Sequence, residues 1–511
     1  MTSLDADPTA DADLSAANVA WDIDSILPEG TTPNDLFDRA EALADGLTSL
    51  RGRVGELDAT ELAAAMHTAA EMHDLMSRAT YHAMLAFTTA TDDPARGAAM
   101  AAAQERSTAI GTKLIFFDLE WAAADDAHAA GVLADAQLDF CRHHLENLRL
   151  TRPHLLDEAE ETIVAEKSQT GFSAWVRLFD ELTSAITVDL PDELGGPGRP
   201  LMQAASMLQH PDRSVRQQVA AGITAGLEPG LRTRAFVFNT LLLDKAVDDR
   251  LRHYDTWISS RNLANEASDE SVQALVEAVV DNYSIPQRWY RLKAQVLGLD
   301  RLADYDRMAS VASTEREIGW AEGTSIVRDA YSSFSPELAG IVDRFIDERW
   351  IDAPVRPGKR GGAFAAGVSP NHHPYVLLNW TSTTRDVATL AHELGHGVHF
   401  YLAREQGIYH QDVPLTVAET ASVFGETVTS NRLLSMIDDP NERFALLAST
   451  LEDSIATVFR QIAMNRFEHA VHTTRRDEGE LSVERFGDLW ADSQEAMLGD
   501  SVEVTDGYRS W

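Results

Sequence analysis

One cysteine, five lysines and no long apolar run set the first limits on this chain of 511 residues. The single thiol, Cys141, rules out a disulfide within the chain and points to a reducing compartment. It sits in an Ala- and Leu-rich helical stretch, so it reads as a small core residue and not as a nucleophile. The lysines are Lys113, Lys167, Lys245, Lys293 and Lys359; arginine supplies the rest of the 43 basic residues, against 81 acidic ones. The resulting charge of −38 repels nucleic acid and anionic membranes, so neither is an expected partner. An acidic, lysine-poor, alanine-rich composition fits a GC-rich genome or a salty cytoplasm equally well. The longest stretch without acidic or basic residues, 361–384, is interspersed with Gly, Pro, Asn and His and cannot span a bilayer. Residues 1–20 are acidic and broken by Pro8, unlike a secretory or transit signal, and read as a disordered tail. A cytoplasmic location follows. There is no fixed-period repeat of the kind a solenoid requires.

What is present is chemically specific. His392-Glu393-Leu394-Gly395-His396 lies in a stretch with helical signals. Thr383 or Thr384 can cap it, Asp386 favours its first turn, and Val387, Leu390, Ala391, Leu394 and Val398 recur at helical spacing. Residues four apart on a helix lie about 40° apart around the axis and roughly 6 Å along it. Two imidazoles so placed can close on one Zn²⁺ while Glu393 flanks the attacking water. A third ligand is needed, and His399, Glu405, Asp412, Glu419 and Glu426 are the candidates. His399 is about 10 Å along the axis from His392, too far to share one ion. After a loop over 407–414 a second helix begins, with Glu419 and Glu426 on one face and Ser422 between them. Thr416-x-x-Glu419 also has the form of a capping box, which would fix that helix start and nothing more. Spacing favours Glu419 and leaves Glu426 as its rival.

With these residues in place, the chain resembles the thimet oligopeptidase/oligoendopeptidase F metallopeptidases. The likeness rests on the His392-to-His399 motif followed by Ala418-Glu419-x-x-Ser422-x-x-x-Glu426, and is strongest to the oligoendopeptidase F branch. Trp21-Asp22-Ile23, Leu292-Lys293-Ala294 with Leu297-Gly298-Leu299-Asp300, Trp350-Ile351-Asp352-Ala353, Gly358-Lys359-Arg360, Pro374-Tyr375 and Asp386-Val387 follow in family order. The resemblance implies one Zn²⁺ per chain held by His392, His396 and Glu419, with Glu393 as general base. It implies a mainly α fold: a multi-helix zincin-type bowl enclosing a deep cleft, with a small β element beside the zinc helix. It also implies an endopeptidase that admits oligopeptides and excludes folded proteins. The family continues beyond the position of Trp511 into a His- and Tyr-rich segment that contacts substrate, which this chain is expected to lack. Two other readings are a catalytically impaired peptide-binding protein and a related helical zinc carboxypeptidase. Without the family's segment, Tyr409 or His410 would be the first candidates for an oxyanion donor; Tyr508 reads as merely exposed.

Elsewhere helical patterns cover 33–49, 58–77, 80–106 and 112–148, resume from Ser214, Asp269 and Ser335, and return over 440–498. Around Ile186–Leu190 the chain turns β-branched, with a turn at Gly195-Gly196-Pro197-Gly198. The expected division is a tail over 1–20, an N-terminal helical domain over 21–185 and a catalytic domain over 186–511. The Gly- and Pro-rich stretch 354–374 leads into a short strand, Tyr375–Trp380, suited to pairing with an extended peptide. His372 and His373 read as solvent-facing loop residues outside the site, and Lys359 or Arg360 as possible partners for a peptide carboxylate.

Overall fold

A computed structural model describes residues 16–311, 317–356, 358–505 and 507. The expected tail therefore lies outside the described residues up to position 15, and Tyr508 lies outside them too. Residues 16–20 are tied down: Ala16 is buried, and the Val19 carbonyl accepts from the Ala353 N–H. The described residues are mainly helical and form three small sheets. Among the described residues no helix is long and apolar enough to cross a membrane.

The chain forms two compact units, each built from two stretches: 1–165 with 315–436, and 166–314 with 437–511. The domain boundary expected near residue 186 from the β-branched and turn pattern is a proposal.

In the first unit, α1 (Pro33–Leu47) starts at a capping box in which Thr32 and Asp35 satisfy each other's backbone N–H, with Pro33 at the first helical position. It lays Leu36, Phe37, Ala40 and Ala44 against Met72, Leu75 and Ala79 of α2. α2 (Ala59–Thr88) opens on a second box, Asp58 with Glu61, and runs 30 residues without the break expected at 77–80. The next helix begins at Pro94 behind an Asp93 cap, because proline is at ease only at a helix start. The helix expected over 112–148 is three shorter ones, restarted where Asp125 caps the N–H groups of Ala127 and His128 and again after Asp135. Cys141 is fully buried in this core, and burial pushes its thiol up to about 12.

The second stretch of this unit builds the site. α3 (Trp320–Phe334) and α4 (Pro336–Asp347) lead into a three-stranded sheet. Its strands are β1 (Ile351–Pro354), β2 (Phe364–Ala366) and β3 (Tyr375–Trp380), in the order β1-β3-β2. β1 runs parallel to β3, and β2 antiparallel with Ala365 opposite Val376. The apolar run of β3 is buried, as a central strand requires, while β2 forms one margin of the sheet. Two further helices complete the stretch, α5 (Thr384–Ala403) and α6 (Leu415–Met436).

The second unit is helical around a core that includes Trp289, Tyr290 and Phe459. Its antiparallel pair Thr187–Val188 with Arg199–Pro200 is closed by the glycine turn expected there, with Gly195, Gly196 and Gly198 all at positive φ.

Candidate metal centre

The stop-start sequence ahead of α5 fixes where the helix begins. Thr383 Oγ1 accepts from the Asp386 N–H at 3.2 Å, and the Asp386 carboxylate accepts from the N–H groups of Thr381 and Thr383. From that start, Val387, Leu390, Ala391, Leu394 and Val398 all fall on the buried face. His392 and His396 are left half-buried one turn apart, their ring centroids 4.8 Å from each other.

α6 crosses α5 at glycines. A methyl group on Gly395 would stand 2.4 Å from the Ala421 carbonyl oxygen, and one on Gly425 would stand 2.4 Å from that of Ala391. No side chain larger than hydrogen fits at either point. Tyr331 of α3 reaches the same place, its hydroxyl donating to the Ala391 carbonyl at 3.1 Å.

This close crossing brings Glu419 over both histidines. Its Oε2 lies 3.4 Å from His392 Nε2 and 3.4 Å from His396 Nε2, and Ser422 Oγ donates to the same oxygen at 2.7 Å. One donor atom from each of the three residues lies within 4.8 Å of the others. Ligands of a tetrahedral ion at roughly 2.0–2.2 Å stand about 3.3–3.6 Å apart, so the two 3.4 Å separations suit a shared metal. Two imidazoles and a carboxylate leave a fourth position for water or substrate. Among the described residues His399, Glu405 and Asp412 are not part of any such group.

Glu426, the rival ligand, takes a different place. Its Oε1 makes a short contact with His392 Nδ1, on the side of the ring away from Glu419. The His392 imidazole is thus oriented by a second partner, which holds its other nitrogen toward the common point. Burial is the largest influence on His392 and pulls it down, but the Glu426 bond and the charges of Glu393, Glu426 and Glu419 outweigh it and raise its pKa. For His396 burial prevails and lowers it, which favours the neutral form that binds metal. We expect Glu426→Gln to weaken metal affinity by about 10–100-fold, measured by competition with a chelator. Unchanged affinity would remove Glu426 from this role.

Glu393 is buried, at 6 % exposure, and its Oε2 has no hydrogen-bond partner. The strand β2 packs against the helix that carries Glu393. Burial, with Glu419 and Glu426 adding to it and His392 opposing, lifts its pKa to about 7. An orphaned carboxylate oxygen on the same helix as two of three converging donors is the arrangement a proton acceptor needs.

Several residues prove to be structural. Tyr409 donates its hydroxyl to the Met66 carbonyl at 2.8 Å and packs on the buried cluster around Trp121, so it cannot serve as an oxyanion donor. Lys359 does not face solvent: its ammonium meets Asp352 at 2.6 Å and the carbonyls of Pro354 and Leu378. Arg360 lies over the Phe364 ring. His373 stacks on Trp350 at 4.2 Å and His372 hydrogen-bonds the Tyr375 hydroxyl, so neither is the solvent-facing loop histidine expected. Burial lowers them to about 4 and about 3. The signal missed in the sequence was the aromatic density around them, Trp350, Tyr375 and Tyr401, which lie far apart in the chain.

Comparison with known proteins gives a consistent family. The model of peptidase family M3 matches residues 206–510, and that of the oligopeptidase F N-terminal region matches 120–187. Group B oligopeptidase PepB of Streptococcus agalactiae is 29% identical over 362 residues, 70% of this chain and 60% of that protein. Oligopeptidase PepF of Bacillus subtilis is 26% identical over 379 residues, 73% of this chain and 56% of that protein. The chain thus spans less than two thirds of the length of these relatives. Among solved structures, PZ peptidase A superposes with a TM-score of 0.76 at 14% identity, covering 95% of this chain and 82% of that one. Oligoendopeptidase-F from Enterococcus faecium gives 0.65 at 19%, covering 93% and 82%. Both likenesses establish the fold.

Proposed function

Because the chain belongs to peptidase family M3, we propose that it is a zinc-dependent endopeptidase hydrolysing internal bonds of short oligopeptides. The observation that carries this reading is the unpartnered Glu393 Oε2 beside the converging donors of His392, His396 and Glu419. Those three side chains would hold the ion, and their donor set of two nitrogens and one carboxylate oxygen is one zinc accepts. Bound there, Zn²⁺ would supply Lewis acidity to water and to a peptide carbonyl. Glu393 takes the proton from the attacking water at its free Oε2, and the new C–O bond forms as the carbonyl π electrons move to oxygen. Glu393 then passes that proton to the leaving amide nitrogen and the C–N bond breaks; the carboxylic acid so formed gives its remaining proton to the amine, leaving a carboxylate and an ammonium group.

β2 gives the substrate a place to lie. It is the margin strand of its sheet and packs against the helix that carries Glu393, so an extended peptide added to its outer side would run past the base. Main-chain pairing gives affinity with little side-chain preference, as suits varied oligopeptides. Lys359 rigidifies the approach to β2 by gathering three carbonyls and the Asp352 carboxylate. The single, buried Cys141 supports a cytoplasmic setting.

The deciding experiment is hydrolysis of an internally quenched peptide about ten residues long, with metal analysis and mass spectrometry of the products. Cleavage at internal bonds, lost on chelation and restored by Zn²⁺, is expected. Release of single C-terminal residues would make the protein a carboxypeptidase. Stoichiometric capture without turnover, with zinc bound, would make it a peptide-binding protein.

A further inference from the structure

In the second unit a cavity of about 440 Å³ opens beside the first turn of the helix Leu231–Leu251. Leu182, Ala185 and Ile186 form an apolar wall, and Thr187, Thr233 and Arg234 bring polar groups to it. Arg234 is the unusual member. It is only 6 % exposed, yet among the described residues no carboxylate lies within ion-pair distance of it. Its guanidinium makes one hydrogen bond, from Nη2 to the Leu227 carbonyl at 2.7 Å. Other cations buried as deeply in this unit are neutralised: Arg216 meets Asp306 at 2.8 Å, and Lys293 meets Glu452. A buried charge without a counter-ion is costly, and this chain carries an acidic excess that would readily furnish one. Room is also kept for the guanidinium, since a methyl group on Gly230 would stand 2.6 Å from Nη1.

We infer that this cavity binds a small organic carboxylate, with the anion on Arg234 and a short aliphatic body against Leu182, Ala185 and Ile186. The charge balance selects a monoanion. There is one cation, and Asp189 lines the same cavity with its carboxylate turned to the Gly198 N–H. A dianion such as phosphate would gain one contact and meet that repulsion. The N-terminal end of the 21-residue helix adds a favourable field of modest size. An aliphatic tail is favoured because Leu182, Ala185 and Ile186 line the cavity with carbon.

The test titrates isovalerate, acetate and inorganic phosphate into the full chain at constant ionic strength and pH 7.5, read by calorimetry and by thermal shift. Saturable binding of isovalerate, tighter than acetate and much tighter than phosphate, is expected. Arg234→Met should weaken isovalerate by about ten- to a hundredfold, the loss expected for a hydrogen bond to a charged group. It should also raise the melting temperature of the ligand-free protein, because an unpaired buried charge is gone. If that variant does not fold, Gly230→Ala decides: its methyl group displaces Nη1 and should weaken isovalerate similarly. An absent or non-saturable response, phosphate as the tightest ligand, acetate equal to isovalerate, or undiminished binding in the variant that folds would each overturn the proposal.

Discussion

Replacing Glu393 by Gln is expected to cut kcat on a quenched decapeptide by about 10²–10⁴-fold while metal content stays at the parent value. The substitution keeps the shape of the side chain and one of its oxygens, and removes only the capacity to take a proton. None of the three converging donor atoms belongs to Glu393. A second readout separates lost chemistry from lost folding. In the metal-free protein the Glu393 pKa is raised from 4.5 to about 7, so the folded state keeps a proton that the unfolded chain releases. Stability from this group is therefore present below about pH 4.5, falls as pH rises toward 7, and is a constant penalty above that. Gln carries no such penalty. The metal-free variant should melt higher than its parent at pH 8, and the gap should close at pH 4.5. Turnover above about a tenth of the parental rate would remove Glu393 from the proton-transfer role.

The second large effect is expected at Glu419. Glu419→Ala should reduce bound metal after dialysis to a small fraction of one per chain and bring peptide hydrolysis to background. Glu419 supplies one of three donors, and its Oε2 is the atom that faces both imidazoles. Two histidines alone make a weak, incomplete site. The control is Glu426→Gln, which should retain metal at millimolar zinc because it disturbs only the orientation of His392. If Glu419→Ala stays fully loaded and Glu426→Gln empties, the two carboxylates exchange roles.

These two glutamates also mark where the sequence stops being legible. α5 could be read in advance because its determinants are local: a cap at Thr383, an acidic first turn and an apolar stripe. The pair on α6 was visible as two carboxylates on one face. Which imidazole nitrogen each one meets depends on how tightly α6 crosses α5, and that is a tertiary fact. Tyr409 and Lys359 escaped for a related reason. Each looks like an available loop residue, and each is buried by partners remote in sequence, Met66 for one and Leu378 for the other. The segment 112–148 erred in the opposite direction: helical composition persists across Asp125 and Asp135, but a side-chain oxygen that satisfies backbone N–H groups starts a new helix there.

The crossing at Gly395 and Gly425 bears on how this site can evolve. Where helices meet through interlocking side chains, any exchange at the contact shifts their spacing, so neighbouring positions change together. Here backbone rests on backbone, and the distance between the histidine-bearing and glutamate-bearing helices is fixed by peptide groups. The apolar faces around the crossing are then free to drift in sequence without altering how far apart the donors stand. Conserving the centre requires little beyond the donors, their orienting partners and two missing methyl groups. A lineage could renew most of the surrounding packing and still inherit the same donor spacing.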